Sequence, residues 1–425
     1  MKKTIDFLFR PGPAHMALAN RVYFPACLCF GIFLGTGVTV FAIAGMVWVI
    51  FHFLSGRMSW RLPYPVTLSA AAFAAFFAVE LLAALIHASP TSLYEVTENL
   101  PFLGLTALYA VCVVERAALL KVVEAVAPVA AVVGLCAALP VWSPAARIEL
   151  MAGNASVFAV LAAIVFAINL IALLRDPGRT RRWVWLLGAV AAAILVVASG
   201  TRAMWPALLV VPGICAICFR RGGFPLGWRQ GGIALTAVAA LAIASYGEVS
   251  ARLGATASDL ARIEEGDFTG SIGQRYHLWR AGLEVFAENP VLGAGPGGFN
   301  DAVADRIEEL SGERKVYGHA HNAIITELVR AGVLGLAALA ALFLVPLAQI
   351  LKAPRDGSGQ AGLAFLLSVQ AVYVLSGTTG LAIGHDILDA TFISATCYCL
   401  YLVFGPRGPE RRAGSTDLTD GRLPA

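Results

Sequence analysis

Long apolar segments separated by short polar ones run along most of this chain. A bilayer core of roughly 30 Å is crossed by about 20 apolar residues in a helix, because only a helix satisfies its own backbone polar groups in lipid. The pattern predicts twelve transmembrane helices, near residues 22–36, 38–54, 66–87, 101–115, 118–139, 155–174, 183–198, 204–219, 231–247, 321–350, 361–380 and 386–404. The expected fold class is therefore all-α and polytopic. The break at Gly35-Thr36-Gly37 is weak, so a single long tilted helix there and a ten-helix variant are alternatives.

The composition agrees with an integral membrane protein. Hydrophobic residues make up 58% of the chain and charged residues 14%, with a mean hydropathy of +0.75, which is far outside the range of soluble domains. We expect no cleavable signal peptide, because the first apolar segment is followed by further membrane helices. The net charge of +4 comes from the loops and gives no indication of nucleic acid binding.

The basic residues fall mainly in alternate connections. Every second segment, starting with the N-terminal one, is basic, and together these segments hold 21 of the 31 Lys and Arg residues. Since basic loops stay in the cytoplasm, residues 1–21 and the polar, disordered tail 405–425 are expected there. Helices one to nine then occupy 22–247, a periplasmic loop 248–320, and helices ten to twelve 321–404.

The loop 248–320 is exceptionally long for a compact membrane protein, and such loops usually carry function. Its sequence predicts an amphipathic helix ended by Asn289-Pro290, and a second one over 299–310 with Val303 and Ile307 facing inward. The residues that share one face of the first helix are Arg275, Leu278, Trp279, Gly282 and Phe286. The loop is thus predicted to be a small helical cap at the membrane surface.

Between these two helices lies the sequence GAGPGGF, residues 293–299. It satisfies the pattern G-x-G-x-x-G, but no strand precedes it and no βαβ unit surrounds it, so a dinucleotide site is disfavoured. A tight turn, or a close approach of the backbone to a ligand, is the better interpretation.

Three polar residues, Arg202, Arg275 and His321, are predicted at the outer membrane level on three different segments. Two cations and an imidazole at one face suggest an anionic ligand, and the arginine fork suits phosphate. For each residue a structural alternative exists: Arg202 could be an interfacial side chain, and His321 a helix cap. The carboxylates that Arg275 could pair with instead are Glu264, Glu265 and Asp267.

Three stretches, SGTRAMWPAL, GQRYHLWRAGLEVFAENPVLGAGPGGF and GHAHNAIITELVRAGVLGL, resemble the O-antigen ligase and O-antigen polymerase superfamily of bacterial envelope proteins. That family has an arginine in a short periplasmic turn, an arginine opening a loop helix, and a histidine before a G-x-x-G helix. The positions that match are Arg202, Arg275, His321-Asn322, Gly332 and Gly335. By motif the resemblance covers about 155–351, and by topology the whole chain.

The resemblance implies a metal-independent, inverting glycosyltransferase without a cofactor, which moves a glycan from undecaprenyl pyrophosphate to an acceptor outside the inner membrane. For a ligase the acceptor is a sugar hydroxyl of lipid A-core. Arg202 and Arg275 would stabilise the leaving pyrophosphate, and His321 would be the general base. The accessory candidates are His319 as the rival base, Arg280 as a lesser phosphate contact and Asn322 as a helix cap.

The sequence also allows functions other than that of a ligase. An O-antigen polymerase would use a second lipid-linked glycan as acceptor, and protein O-oligosaccharyltransferases usually have a longer C-terminal region. A secondary transporter is suggested by the helix number, but no internal repeat is visible. Glu80 is the main ionisable residue inside a helix, and burial or snorkelling is a sufficient explanation for it.

Overall fold

The computed structural model describes residues 13–55, 62–142, 147–175, 181–219, 254, 257–265, 267, 268 and 270–406, and all regular structure within them is helical. The α-helices are α1 (Pro13–Leu28), α2 (Gly31–Leu34), α3 (Gly37–Leu54), α4 (Tyr64–His87), α5 (Pro90–Glu98), α6 (Leu105–Ala110), α7 (Arg116–Ala138), α8 (Ala155–Arg175), α9 (Arg181–Ala198), α10 (Ala207–Phe219), α11 (Ser271–Glu288), α12 (Gly298–Ser311), α13 (Ala323–Lys352), α14 (Gly357–Gly377) and α15 (Asp386–Phe404).

Eight of the described helical segments are long and apolar enough to cross a membrane. They are α3, α4, α7, α8, the segment Arg202–Phe219 that includes α10, and α13, α14 and α15. A shorter apolar helix is α9. The all-α fold predicted from the apolar pattern is confirmed, and these segments agree with a multi-pass membrane protein; the number of twelve helices stays a prediction. The predicted helix 231–247, the first residues of the loop and the tail from 407 onwards lie outside the described residues.

Two of the predicted transmembrane helices, 101–115 and 22–36, differ from the structure. The segment 101–115 is a 3₁₀ turn, Leu100–Gly104, followed by the short α6. Pro101 lacks an N–H and is tolerated only in a first helical turn, so the chain leaves α5 and starts again. The segment 22–36 starts earlier, at Pro13, and ends at Leu28. Gly35 has φ +52° and separates α2 from α3, so the single-helix alternative is wrong.

The loop helices dock onto the first turns of α13. Both predicted amphipathic helices are present as α11 and α12, and Val303 and Ile307 are buried as expected. A hydrophobic cluster separate from the main core joins the three helices; its members include Leu278, Val285, Phe299, Val303, Ile307, Ile325 and Val329. The loop is therefore attached to the membrane domain through packed side chains.

The main core surrounds α8 and α15, whose side chains are almost all buried. Partly buried ion pairs join helices at one end of this bundle. Arg175, the last residue of α8, donates to both carboxylate oxygens of Glu124 at 2.8 and 2.6 Å. Arg116, the first residue of α7, pairs with Asp356 and donates to the carbonyls of Leu402 and Val403 at 3.2 and 2.7 Å. We call this the arginine-pair end.

Candidate active site

The turn that precedes α13 is fixed at Ala320, which lies between the two histidines. The N–H of Ala320 donates to Thr326 Oγ1 at 3.0 Å, and its carbonyl accepts from Trp279 Nε1 of α11 at 2.8 Å. Ala320 itself is fully buried. Because both backbone groups of this residue are held, the positions of His319 and His321 are set by the loop helix and by α13 together.

His321 is held in an unusual backbone conformation, with φ +51°. A left-handed backbone costs a residue with a side chain roughly 1–2 kcal/mol, so contacts on both sides must maintain it. The next residue, Asn322, begins α13: its Oδ1 accepts from the N–H groups of Ile324 and Ile325 at 3.0 and 3.2 Å. The rings of His319 and His321 are neighbours, with centroids 4.3 Å apart.

Both histidines are half-buried, and burial lowers the pKa of each. For His321 the second cause is the charge of Arg275 on α11. For His319 burial lowers the pKa to about 4, with further contributions from His321 and His385. Both imidazoles are therefore neutral near pH 7 and can accept a proton. His319, whose pKa is lowered to about 4, is the weaker base of the two.

The two arginines of α11 lie in different surroundings. Arg275 is half-buried and close enough to His321 for its charge to act on the imidazole. Arg280 is exposed and donates to Glu284 at 2.9 Å, one turn further along the helix. The structure thus brings together Arg275 and His321, and it places Arg280 in a surface ion pair.

Arg202 opens a 3₁₀ turn, Arg202–Met204, between α9 and α10, and its side chain is exposed. The preceding Thr201 is held by Arg147, whose Nη2 donates to Thr201 Oγ1 at 2.8 Å. This turn packs against α14, whose last residue, Gly377, lies against Ala323 at the start of α13. Arg202 and the histidine turn therefore lie at the same end of the bundle, which we call the histidine end.

A break in α13 lies about three turns beyond His321. Gly332 has φ +63° and interrupts the helical hydrogen bonds. The N–H groups of Val333 and Leu334 that this break releases donate to the carbonyls of Pro290 and Val291, at 2.9 and 3.3 Å. The loop backbone thus completes the hydrogen bonding of a membrane helix, as a helix kinked in lipid requires.

The glycine-rich segment predicted as a tight turn makes this approach possible. A Cβ on Gly293, which has φ +64°, would collide with the backbone of α13 at Val329. The carbonyl of Gly293 lies 2.8 Å from His87 Nε2, and the N–H of Gly297 donates to Ser92 Oγ at 3.0 Å. The glycines of this segment therefore allow its backbone to pack closely against α4, α5 and α13.

A buried charged cluster at the histidine end was not predicted from the sequence. Arg330 of α13 donates to Glu80 Oε2 of α4 at 3.3 Å and to Glu95 Oε2 of α5 at 3.0 Å. Glu327, one turn before Arg330, lies beside Glu80. The available signal was Glu327 and Arg330 at i, i+3 inside an apolar helix, where charge is costly without a partner.

A third histidine, His385, also reaches this region, and its charge acts on His319. Burial lowers its own pKa, against the opposing effect of Asp386, whose Oδ1 lies 3.1 Å from Nδ1. The loop that carries His385 is held by Asp389, which accepts from the N–H of Gly384 at 3.0 Å. Its role was missed because it lies more than sixty residues after the histidine turn.

In the part of the chain that the structure describes, no three His, Cys, Asp or Glu side chains are grouped so that they could hold a metal ion.

The region of the candidate site is similar to a known protein family. Residues 187–340 match the family model described as "O-Antigen ligase". This match supports the O-antigen ligase superfamily that the three motifs resemble. The match begins inside α9, ends inside α13, and contains Arg202, Arg275, His319 and His321.

Among curated proteins, the chain is similar to an uncharacterized protein of Haemophilus influenzae, with 23% identity over 180 residues. The alignment covers 39% of this chain and 44% of that protein. The chain therefore spans less than half the length of this relative.

Proposed function

We propose that this protein is an O-antigen ligase of the inner membrane. It transfers a glycan from undecaprenyl pyrophosphate to a sugar hydroxyl of lipid A-core at the periplasmic face, which completes lipopolysaccharide. The observation that carries the proposal is the proximity of Arg275 to the half-buried, neutral His321 within the segment that matches the family. A cation beside a neutral imidazole combines the two groups that this reaction needs.

The reaction forms a bond from the acceptor oxygen to the anomeric carbon and breaks the bond from that carbon to the pyrophosphate oxygen. The electron pair leaves with undecaprenyl pyrophosphate, and the new glycosidic bond has inverted configuration. Negative charge therefore develops on the pyrophosphate, where Arg202 and Arg275 stabilise the transition state more than the ground state. No metal ion or cofactor takes part in this scheme.

The proton of the acceptor hydroxyl goes to the imidazole of His321. Its pKa is lowered, so the base is neutral at periplasmic pH, and it keeps more basicity than His319, whose pKa is lowered to about 4. His319 packs against His321 and orients its ring. This division of roles favours His321 as the base.

Purified protein in lipid nanodiscs, given its lipid-linked glycan and lipid A-core, tests the function. A lipopolysaccharide product supports the ligase, whereas longer lipid-linked chains without it would make the protein a polymerase. Arg202→Ala, Arg275→Ala and His321→Ala should each lower turnover at least about a hundredfold. Arg314→Ala and His277→Ala are matched controls on the same loop, and both should retain wild-type turnover.

The pH profile tests which histidine acts as the base. A general base works when neutral, so turnover falls as pH drops through its pKa. With His321 as the base, the acid midpoint lies below about 6.5, and Arg275→Gln moves it upward because one cause of the lowered pKa is removed. A midpoint near 4 that Arg275→Gln does not change would assign the base to His319 instead.

A further inference from the structure

A small pocket lies directly beneath the histidine turn and ends among buried charged groups. Glu80, Glu327 and Arg330 line its inner part, and the exposed Gly318 and Gly384 line its mouth. Its volume of about 30 Å³ accommodates a hydroxyl group or one or two water molecules. The pocket therefore suits the tip of a larger molecule that lies outside it.

The carboxyl groups in this pocket have unused hydrogen-bonding capacity. Glu80 is fully buried and Glu327 is 6% exposed. The two carboxyl groups lie against each other and hydrogen-bond through a proton that one of them keeps, because two carboxylates in contact cannot both be ionised. Within the described residues, no nitrogen or hydroxyl donor reaches Glu80 Oε1 or Glu327 Oε1. Each of these oxygens therefore keeps a lone pair that can accept from a group entering the pocket.

The charges in the pocket restrict what that group can be. Among the groups that line the pocket, the positive charge of Arg330 balances the one negative charge of the proton-sharing Glu80–Glu327 pair, so neither a cation nor an anion is favoured. A neutral group that donates hydrogen bonds fits both restrictions. A hydroxyl is the smallest such group, and it fits the volume.

The pocket shares a wall with the candidate active site. Thr326 lines it, and the hydroxyl of Thr326 accepts from the N–H of Ala320 and donates to the carbonyl of Asn322 at 2.8 Å. These two residues flank His321 in the chain. A group bound in the pocket therefore belongs to a molecule that reaches the histidine turn.

We propose that Glu80, Glu327 and Arg330 form a subsite that binds a sugar hydroxyl of a substrate next to the histidine turn. The inference rests on the proposed function, because a glycan transferase is what brings polyhydroxylated molecules to this end of the protein. The hydroxyl donates to the carboxylates and accepts from Arg330. It belongs either to the donor glycan or to the acceptor core.

Direct binding to the detergent-solubilised protein tests the subsite without depending on turnover. The probes are the lipid-linked glycan, lipid A-core from the same cells, and undecaprenyl pyrophosphate without sugar. Glu327→Gln and Glu80→Gln should each weaken one glycan-bearing probe roughly 10- to 100-fold, as expected for a hydrogen bond to a charged group. Binding of the sugar-free lipid should not change.

The probe that loses affinity identifies the source of the hydroxyl, as donor glycan or acceptor core. Glu124→Gln, which removes a buried carboxylate of the arginine-pair end, is the matched control and should leave all three affinities unchanged. Gly335→Ala adds a Cβ 2.5 Å from Glu327 Oε1, and it should weaken the same probe by displacing the carboxyl.

Equal affinities of wild type and both Gln variants for both glycan-bearing probes would overturn the subsite, as would equal weakening of all three probes. Failure of the proposed function has a different signature, since it removes the lipopolysaccharide product in the turnover assay while the pattern of affinities stands. A deoxy acceptor sharpens the result: where the acceptor supplies the hydroxyl, its penalty in wild type should disappear in Glu327→Gln.

Discussion

The two ends of the helical bundle treat buried charge differently. At the arginine-pair end, Arg175 donates to both oxygens of Glu124, so each carboxylate oxygen has its own donor. At the histidine end, Arg330 donates to Glu80 and Glu95, and Glu327 hydrogen-bonds to Glu80, so three carboxyl groups share one arginine. Matched pairs fix helices to one another, whereas an excess of acceptors leaves capacity for a substrate.

The largest expected effect comes from removing the only arginine of this cluster. Arg330→Ala leaves buried carboxylates without their cation, which should lower the free energy of unfolding by about 3–5 kcal/mol. Thermal unfolding in detergent measures this. Arg314→Ala removes an exposed loop arginine that donates to Asp305 at 3.0 Å, and it should leave the melting temperature essentially unchanged. Similar melting temperatures for both variants would mean that the cluster does not need its arginine.

The second effect concerns the break in α13. Gly332→Ala puts a Cβ against the backbone of Val291 at a left-handed position, and it should cost about 3 kcal/mol through strain and lost hydrogen bonds to the loop. The matched control is Gly312→Ala, at φ +75° with open space around it, which should cost only about 1–2 kcal/mol. Equal losses in chemical denaturation would show that the loop is not wedged into the break.

A third measurement compares the two ends directly. Glu124→Gln should lower stability by about 2 kcal/mol, because it weakens two charge-assisted hydrogen bonds of a matched pair. Glu327→Gln should be nearly neutral, since the amide can donate to Glu80 in place of the shared proton. If Glu327→Gln were the more damaging change, the carboxylates of the histidine end would be as closely matched as those of the other end.

The smallest effect is at the helix caps. Asn322→Ala removes the cap of α13 and should cost about 1 kcal/mol. Asp356→Ala removes the cap of α14 and also the partner of the buried Arg116, so it should cost clearly more. Unfolding in detergent distinguishes the two, and Asn322→Ser should restore most of the loss at α13. A larger cost at Asn322 than at Asp356 would contradict this assignment.

The apolar helices were predictable because helix length in a membrane is fixed by bilayer thickness. The loop helices were predictable for a similar reason, since Val303 and Ile307 reveal their buried face by spacing alone. The same local rule failed at 101–115, where an apolar composition conceals a turn that Pro101 enforces.

The charged cluster could not be assembled from the sequence, because Glu80 and Arg330 are 250 positions apart and only Glu327 lies near Arg330 in the same helix. The contribution of His385 depends in the same way on the fold. Arg275, His321 and Arg202 could be predicted as site residues from the family resemblance and the predicted topology. Their catalytic roles stay predictions. The left-handed backbone of His321 and the clamps on Ala320 leave no mark on the local sequence.

The insertion of Pro290 and Val291 into the break of α13 constrains the order in which the protein is assembled. Before this loop segment docks, the amides of Val333 and Leu334 have no partner within their own helix. Exposing them to lipid would be costly. This part of α13 therefore reaches its final depth in the bilayer only once α11 and the segment after it have docked. Membrane insertion of α13 is thereby coupled to folding of the loop segment that precedes it.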